Sequence, residues 1–441
     1  MSVFFSAVLA AAVLSTGVVQ AQTGSLKEAN DADPIDWSRF RGPNGTGISH
    51  AETIPSEWTA DDYNWVTDLP GQGHGSPVIV GNRLYVLCGD RETAERMVVC
   101  LNTDDGTILW QKNFDSKKHR IHTDNTFGSS TPVADQDGVI VTWADPEKLL
   151  LMALDRNGDI QWQRDLGPYD AINGAGTSPI IVGDLVVLVN IQMDSNVMVR
   201  FGVLPKEFAD ENPNDSLVIA VDRRTGKTRW TTPRETYLAS YATPCVRELE
   251  DGRRELIVLD SAFGLTGVDL KDGAVNWQTR KLLPTRTVAS PVIAGDLVFG
   301  SHGAGTSGQA FFAVRAGSLS REPSIAWEIR KSVPLTPTPI VKGDLAFLWS
   351  DNGVVTCIAA DTGDVVWRNR VGGSYYGSPI WVNGRLYCTD RTGNVAVIAA
   401  AEEYRLFSRV PLGEPSFATP AVANGVMYFR TETKVLSLGG K

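Results

Sequence analysis

Short apolar runs separated by turn residues recur along most of the chain. Many pairs of runs flank a Gly-Asn, Gly-Asp or Asn-Gly step, as in "PVIVGNRLYVL", "PIIVGDLVVLV" and "PIWVNGRLYCT". Because these turn residues accept positive φ angles, each pair predicts a β-hairpin. A third run ending in an Asp- and Gly-containing turn follows, and then a fourth run that ends at tryptophan. Each unit is therefore predicted to contain four strands.

A Ser-Pro or Thr-Pro dipeptide opens the first run of each unit. The eight dipeptides begin at Ser76, Thr131, Ser178, Thr243, Ser290, Thr338, Ser378 and Thr419. Proline has no N–H to donate to a sheet, so it favours the start of a strand or an edge. Repeated four-strand units are typical of a β-propeller. The predicted fold is all-β, an eight-bladed β-propeller of four-stranded antiparallel blades.

A tryptophan closes most units, and in five of them a glycine stands four residues earlier. The closing positions are Trp65, Trp110, Trp162, Trp230, Trp277, Trp327 and Trp367, with Phe407 in the eighth place. We interpret these rings as structural docking residues that pack each blade against its neighbour. The last unit lacks a fourth run, and Trp65 precedes the first Ser-Pro. The N-terminal strand near Trp65 is therefore predicted to complete the last blade and close the ring.

The N-terminus predicts a targeting segment. An apolar run over residues 3–14 is followed by small residues ending at Ala21, although no Lys or Arg precedes the run. We interpret residues 1–21 as a signal peptide, 22–36 as a flexible segment and 37–441 as a single propeller domain. The protein is thus expected to be exported, periplasmic or extracellular, with no transmembrane segment after cleavage.

Composition narrows the classes of partner. The 441 residues are 42% hydrophobic and 21% charged, with a net charge of -10. These values are typical of a folded globular protein, and no basic stripe suggests nucleic-acid binding. We expect a monomer with no nucleic-acid partner.

Five cysteines are few and odd in number. Cys88 and Cys100 lie near the ends of successive apolar runs, where they either face each other across a hairpin or are small buried thiols. No Cys-x-x-Cys or vicinal pair occurs, so thiol exchange and cysteine-rich zinc sites are not predicted.

Two stretches carry a family resemblance. The motif A-x-D-x-x-T-G-x-x-x-W at residues 220–230 resembles the docking repeat of pyrroloquinoline-quinone (PQQ) propellers. "WSRFRGPNGTGIS" at 37–49, followed by "SSTPV" at 129–133, is similar to exported bacterial PQQ-like repeat proteins. The resemblance spans residues 37–438. In size the chain is closer to the BamB-type outer-membrane assembly factors than to the quinoprotein alcohol dehydrogenases.

The resemblance implies two different chemistries. The dehydrogenases hold a Ca²⁺-bound quinone with Glu, Asn and Asp around the metal and a vicinal Cys-Cys disulfide above the ring. No Cys-Cys dipeptide occurs here, and the metal ligands have no matching positions. BamB-type proteins are lipid-anchored scaffolds, and this chain lacks their lipidation cysteine. PQQ with Ca²⁺ is therefore an alternative, not the expected cofactor.

The loops that precede the Ser/Thr-Pro dipeptides converge on the axis of a propeller and form its mouth. We treat nine of their residues as candidates for binding a ligand or partner: His74, His122, Asp124, Asn125, Asn173, Tyr241, Arg286, Tyr375 and Tyr376. The alternative is that they satisfy the backbone of neighbouring loops. His119, His122 and Asp124 imitate a metal cluster but lack a further ligand, so no metal site is predicted.

Other polar and aromatic residues are given structural interpretations. Asp260, His302, Asp351 and Asp390 fall in turns between second and third strands, where turn chemistry explains them. Trp349 and Trp381 are expected to pack in the core rather than stack on a ligand. The insertion at residues 190–216 covers the mouth, contacts a partner or forms a solvent-exposed flap.

Two functions are compatible with these patterns. The first is an exported, non-catalytic scaffold that binds an envelope or extracellular protein, or a small molecule. It is favoured because no nucleophile–base motif, and so no catalytic residue, is found. The alternative is a PQQ- and calcium-dependent dehydrogenase that oxidises alcohols or sugars.

Overall fold

The computed structural model describes residues 36–200, 202, 206, 216–235, 237–305 and 307–440. The predicted signal peptide and all but the last residue of the predicted flexible segment lie outside these residues. Eight sheets form the ring, and each contains four antiparallel strands ordered from the axis outwards. In blade 7 the short strand Ile48–Ser49 adds a fifth strand, parallel to the innermost one. The eight-bladed propeller predicted from the sequence is confirmed.

The first four blades each run from an innermost strand at the axis to an outermost strand. Blade 1 comprises Val78–Val80, Arg83–Gly89, Arg96–Asn102 and Ile108–Phe114. Blade 2 comprises Val133–Ala134, Gly138–Asp145, Lys148–Asp155 and Ile160–Asp165. Blade 3 comprises Ile180–Val182, Leu185–Asn190, Ser216–Asp222 and Thr228–Arg234. Blade 4 comprises Cys245–Glu248, Arg254–Asp260, Gly264–Asp269 and Val275–Gln278.

The other four blades follow the same order. Blade 5 comprises Val292–Ala294, Leu297–Ala304, Ser307–Arg315 and Ser324–Ile329. Blade 6 comprises Ile340–Lys342, Leu345–Trp349, Val354–Ala359 and Val365–Arg370. Blade 7 comprises Ile380–Val382, Arg385–Thr389, Asn394–Ala399 and Leu406–Pro411. Blade 8 comprises Ala421–Ala423, Val426–Arg430, Lys434–Gly439 and, from the N-terminal side, Tyr63–Asp68.

The N-terminal strand Tyr63–Asp68 is the outermost strand of blade 8. It pairs antiparallel with Lys434–Gly439, so that Trp65 lies opposite Ser437. One blade thus joins the two ends of the described chain, and the ring has no open blade at this junction.

Helix is scarce. The described residues contain one α-helix, Ser195–Arg200, and two 3₁₀ turns, Pro43–Gly45 and Ala60–Asp62. In this part of the chain, no helix combines the length and the apolar character that a membrane span needs.

The hydrophobic cores lie between blades, not within them. Leu84 and Val86 of blade 1 pack toward blade 8, whereas Tyr85 and Leu87 pack toward blade 2. Because both faces of the middle strands are buried, these strands are continuously apolar rather than alternating. The outermost strands are covered on one face alone, and Ile108–Phe114 shows the resulting alternation of exposed and half-buried residues.

The Ser/Thr-Pro dipeptides form a hydrogen-bonded belt around the axis. The hydroxyl of one blade accepts from the Ser or Thr backbone N–H of the preceding blade, as between Ser76 N and Thr131 Oγ1 at 2.9 Å. Among the described residues seven of the eight blade junctions have such a bond, at 2.9–3.0 Å, including the one from Thr419 N to Ser76 Oγ, and the junction between Ser178 and Thr243 has none. The belt explains why a hydroxyl precedes the proline in seven of the eight units.

Replacing Thr338 by valine should break one link of this hydroxyl belt. The side chain is 1% exposed and its hydroxyl accepts from Ser290 N at 2.9 Å. Thr338→Val leaves that N–H buried without a partner, so the free energy of unfolding should fall by about 1–3 kcal/mol. Thr338→Ser keeps the acceptor and should lower it by about 1 kcal/mol or less. Denaturant unfolding of both variants tests this, and equal losses would contradict it.

The tryptophans contact the next blade through a shared geometry. Five indole N–H groups donate to a carbonyl in the following blade's third-to-fourth-strand turn: Trp65 to Thr103, Trp110 to Arg156, Trp162 to Arg223, Trp230 to Leu270 and Trp367 to Ala401. The repeated glycine serves the ring of the preceding blade, not the tryptophan four residues later. Gly226, for example, lies against the Trp162 ring.

Two tryptophans depart from this geometry. The Trp277 indole donates to Glu255 of its own blade at 3.0 Å, and the Trp327 indole N–H is buried without a hydrogen bond. Trp327 nevertheless lies against Gly363 of the next blade. The turn that Trp277 would contact is replaced in blade 5 by a longer loop that includes Gly317.

One detail of the sequence prediction was wrong. The fourth strand does not end at tryptophan, since Thr228–Arg234 continues beyond Trp230. Of the two alternatives for Cys88 and Cys100, the structure shows the buried thiols, because Cys88 lies opposite Met97 and Cys100 opposite Tyr85. The two thiols point into different inter-blade cores, and all five cysteines are free and buried.

Candidate functional site

The mouth of the propeller contains a cavity of about 380 Å³. Its wall includes eight of the nine candidate residues: His74, His122, Asp124, Asn125, Asn173, Tyr241, Arg286 and Tyr376. We call this cavity the mouth cup. Loops from six blades bring these side chains together because every inner strand begins at the same face.

Tyr375 is the candidate that the structure places elsewhere. Its side chain is fully buried and packs edge-to-face on Trp349, with 5.1 Å between ring centroids. Adjacent residues of an extended loop point to opposite sides, so Tyr376 faces the cup and Tyr375 the core. Trp349 and Trp381 are also buried, at 0% and 8% exposed, in keeping with core packing.

Aromatic rings form one wall of the mouth cup. The His74 ring stacks on Phe417 with 4.0 Å between centroids, and Phe417 lies 5.9 Å from the Tyr376 ring. Burial lowers the pKa of His74 below its usual value, although Glu432 lies 3.8 Å from its Nε2 atom. His74 is therefore neutral at pH 7 and contributes an aromatic surface rather than a charge.

A strap, residues 115–127, crosses the mouth from blade 1 to blade 2. Its Asp124 forms an ion pair with Arg391 of blade 7 and accepts from the Tyr376 hydroxyl at 3.1 Å. On the other side, Asn125 Nδ2 donates to the carbonyls of Asn173 at 2.5 Å and Ala175 at 3.3 Å. Asp124 and Asn125 thus hold neighbouring loops, as the alternative interpretation of these residues expected.

Asp124→Asn should loosen the strap. The substitution removes the charge that holds Arg391, while both side chains are less than one third exposed. Opening of residues 115–127 should become easier by about 1 kcal/mol, or roughly fivefold faster amide hydrogen exchange. Asp137→Asn, which removes a 72% exposed partner of Arg223, is the matched control and should leave the strap unchanged. Unaltered exchange in Asp124→Asn would refute this role.

Arg286 differs from the other charged groups of the mouth cup. Within the described chain its guanidinium has no hydrogen bond or ion pair, although it lies near Tyr241. Burial raises the pKa of Tyr241 to about 12, so that hydroxyl stays protonated. Arg286 is thus a cation without a partner at the rim of the cup.

The channel below the mouth cup is filled by the chain itself. Asp36 accepts from Gly81 N in the hairpin turn of blade 1, at the face opposite the mouth. From there residues 37–49, the channel segment, run toward the mouth and back. Phe40 reaches the hydroxyl belt and, with Tyr241 and Phe417, lines a smaller cavity of about 130 Å³ beneath the cup. The channel is plugged and the mouth is a blind cup.

Arg41 anchors the channel segment at the axis. Its side chain is 0% exposed, and its guanidinium donates five hydrogen bonds of 2.8–3.1 Å. The acceptors are the carbonyls of Gly45, Thr46, Thr338, Pro339 and Pro379. Burial lowers the pKa of Arg41 to about 9, which still leaves the group charged at pH 7.

The residues of the mouth cup do not fit a Ca²⁺-bound quinone. Ca²⁺ takes six to eight oxygen ligands, commonly several carboxylates. Asp124 is the one carboxylate in the cup wall, and its two oxygens are engaged by Arg391 and Tyr376. Among the described residues no cluster of three His, Cys, Asp or Glu side chains could hold a metal.

The turn residues have local roles. Asp260 accepts from the N–H groups of Ala262 and Phe263, and Asp390 does the same for its own turn. Asp351 instead accepts from Leu335 N at 2.7 Å and Thr336 N at 3.1 Å in the mouth loop of blade 6. Burial raises the pKa of Asp351 above its usual value.

The blade 3 insertion packs beside the mouth. Met193, Val197 and Met198 form a small apolar cluster with Ala239, next to Tyr241. Most of the remaining insertion, residues 203–205 and 207–215, lies outside the described residues.

Sequence reasoning missed Phe40, Arg41 and Phe417. The signal for the first two was present, since "SRFRGPNG" places two arginines beside an aromatic residue and a turn. What the sequence alone could not supply was the location of this stretch inside the ring.

Comparison with known proteins agrees with this geometry. The family model described as "Outer membrane protein assembly factor BamB" matches residues 44–201, 196–327 and 317–432. The chain belongs to this family. BamB of Moranella endobia (strain PCIT) is 23% identical in an alignment of 232 residues that covers 48% of this chain. The match spans 56% of that relative's own length.

Solved structures show the same fold. BamB from Moraxella catarrhalis superposes with a TM-score of 0.56 at 15% identity, covering 85% of this chain and 98% of that one. The quinohemoprotein alcohol dehydrogenase from Comamonas testosteroni also gives 0.56, at 14% identity over 93% of this chain and 81% of its own. At such identities the likeness concerns the fold alone, which the BamB family shares with enzymes.

Proposed function

We propose that this protein is an exported, non-catalytic binding module that helps to assemble outer-membrane proteins, with an envelope protein as its partner. Membership of a family described by that process supports the proposal. The relative from Moranella endobia carries the same description, and the match spans about half of it. Because the match spans only about half of that relative, we propose both the envelope partner and the export for this chain.

The occupied channel and the engaged carboxylate of the mouth cup support the proposal that the protein is not a catalyst. The channel is occupied by residues 37–49, and the one carboxylate of the mouth cup is tied to Arg391 and Tyr376. No group in the cup wall is arranged as a nucleophile beside a base. The mouth therefore presents a surface for recognition rather than a set of reacting groups.

The mouth face is the part of the surface that we assign to the partner. His122 is half-exposed there, and Arg286 is a cation without a partner in the described chain. A carboxylate on the partner could accept a charge-assisted hydrogen bond from the Arg286 guanidinium. Removing one charge of such an interfacial pair weakens binding, while reversing it adds repulsion.

The proposal is tested in a strain that lacks the protein. Loss of the protein should lower the amounts of β-barrel proteins in isolated outer membranes, as measured by quantitative mass spectrometry, and the wild-type chain should restore them. Arg286→Glu should restore less than half of the difference. Arg254→Glu changes an exposed arginine at the opposite face and should restore it fully.

Equal melting temperatures of the two variants are the folding control. Unchanged barrel proteins in the deletion strain would overturn the assembly role. Full restoration by Arg286→Glu would overturn the assignment of the mouth face.

A further inference from the structure

The prolines of the repeat determine which hydrogen-bonding groups the channel wall presents. Innermost strands have an edge that faces the axis, and proline removes the N–H that this edge would otherwise present. The carbonyls of Pro244, Thr338, Pro339 and Pro379 remain and face the channel. At these positions the wall offers hydrogen-bond acceptors without donors.

Arginine is the side chain that matches such a wall. A guanidinium carries five N–H donors and no acceptor. Arg39 donates to Pro244 O at 2.6 Å, and Arg41 donates to three carbonyls of blades 6 and 7 and to two of its own segment. None of these bonds involves a carboxylate, so carbonyl dipoles alone hold the two charges.

The two ends of the channel segment are bound as strands at the inner edges of the blades. Trp37 exchanges two 2.9 Å hydrogen bonds with Ile79, and Ala134 N donates to Ser38 O at 2.8 Å. Ile48–Ser49 pairs in parallel with the innermost strand of blade 7. This is β-strand addition to inner edges, with specific side chains seated between them.

The ring is complete without the channel segment. In the described structure the hydroxyl belt links seven of the eight blade junctions, including the one between Thr419 and Ser76, and Tyr63–Asp68 supplies the last strand of blade 8. The five docking tryptophans that bond to the next blade likewise contact no residue of 37–49 through their indole N–H. The segment adds to a closed ring rather than closing it.

We infer that the channel is a peptide-binding site for a looped segment with the pattern Arg-x-Arg-Gly at its turn, and that residues 37–49 occupy it as a ligand carried on the same chain. Glycine follows Arg41 because a Cβ on Gly42 would lie 2.6 Å from the Trp37 ring. This site goes beyond the proposed function and does not depend on the mouth face.

Cleavage of the full-length chain tests the inference. A protease site inserted between Glu52 and Thr53, both exposed, allows residues up to 52 to be separated from the ring without removing them. After cleavage the segment should stay bound in gel filtration. A fluorescent synthetic peptide of residues 36–50, added in excess, should replace it with a stoichiometry of one, as measured by anisotropy.

Peptide variants identify the contacts that matter. Arg41→Met should weaken binding at least a hundredfold, and Arg41→Lys at least tenfold, because lysine has three donors on one nitrogen. Ser38→Ala is the control and should bind like the wild-type peptide, since the Ser38 hydroxyl makes no hydrogen bond in the described structure.

Three results would overturn the inference. The first is a cleaved protein that keeps its far-UV spectrum but takes up no peptide. The second is equal binding of the Arg41→Met and wild-type peptides. The third is unfolding of the blades when the segment leaves, which would make the segment part of the ring rather than its ligand.

Discussion

In the intact protein, Arg41→Met should release residues 37–49 from the channel. The side chain is fully buried and satisfies five carbonyls, of which three belong to blades 6 and 7. Methionine fills a similar length but donates nothing, so these acceptors lose their partner in a place with little water. The free energy of opening the segment should fall by about 3–5 kcal/mol.

Hydrogen exchange measures this change directly. The amides of Trp37 and Gly47 donate within the plugged channel at 2.9 and 2.8 Å. Their exchange should accelerate roughly 10²–10⁴-fold, since each 1.4 kcal/mol is a factor of ten. Protection in the second strand of blade 1, Arg83–Gly89, should change much less. Arg254→Met, at an exposed position, is the control and should alter neither region.

Equal loss of protection in the channel segment and in the blades would contradict this prediction. It would mean that opening of the segment and unfolding of the ring are one event.

Gly226→Ala should destabilise the junction of blades 2 and 3. Gly226 has a φ of 66°, and an added Cβ would lie 2.7 Å from the Trp162 ring. Two effects therefore add: the left-handed conformation costs an alanine about 1–2 kcal/mol, and the displaced indole costs about 1–3 kcal/mol more. Moving the indole would also disturb the Trp162 hydrogen bond to Arg223 O, which is 2.8 Å long in the wild-type protein.

Gly183→Ala isolates the contact with the indole. Gly183 has nearly the same φ, 63°, but its Cβ would meet only Arg254 Nη2 at 3.6 Å. Denaturant unfolding should therefore show a loss for Gly226→Ala that exceeds the loss for Gly183→Ala by about 1–3 kcal/mol. Equal losses would show that the repeated glycine serves its turn and not the neighbouring tryptophan.

The repeat made the fold predictable. Each blade buries both faces of its middle strands and needs a tight turn at fixed positions. The spacing of the apolar runs and the turn residues therefore suffices to predict eight units. The docking positions could also be predicted, but two of them lack the shared hydrogen bond: Glu255 of the same blade accepts from the Trp277 indole, and the Trp327 indole N–H has no hydrogen bond in the described structure. The spacing of the repeat does not reveal a hydrogen-bond acceptor that comes from a neighbouring strand of the same blade.

The mouth was predictable because topology places every innermost strand's start at one face. Eight of nine candidates line the cup for that reason. The prediction that Tyr375 lines the mouth was wrong. Neighbouring residues point in opposite directions, and the stretch "GGSYYG" does not show which tyrosine faces the cup. Phe417 was missed because the loop before Thr419, which forms the mouth loop of blade 8, supplied no candidate in the sequence analysis.

The position of the channel segment inside the ring could not be predicted from sequence patterns. Its bonds join Arg41 to residues nearly three hundred or more positions away, such as Thr338 and Pro379. No periodicity relates these positions, and the acceptors are backbone carbonyls that every residue possesses. Only the assembled ring shows that the Ser/Thr-Pro carbonyls converge on one guanidinium.

The central claim is that this PQQ-like ring is a binding module whose mouth does not assemble a calcium–quinone site. The most direct test is calorimetric titration of the purified protein with PQQ, with and without Ca²⁺. We predict no Ca²⁺-dependent heat at high micromolar ligand, because Asp124 is held by Arg391 and Tyr376. One-to-one, Ca²⁺-dependent binding at micromolar concentration or tighter would contradict the account and favour a quinoprotein dehydrogenase.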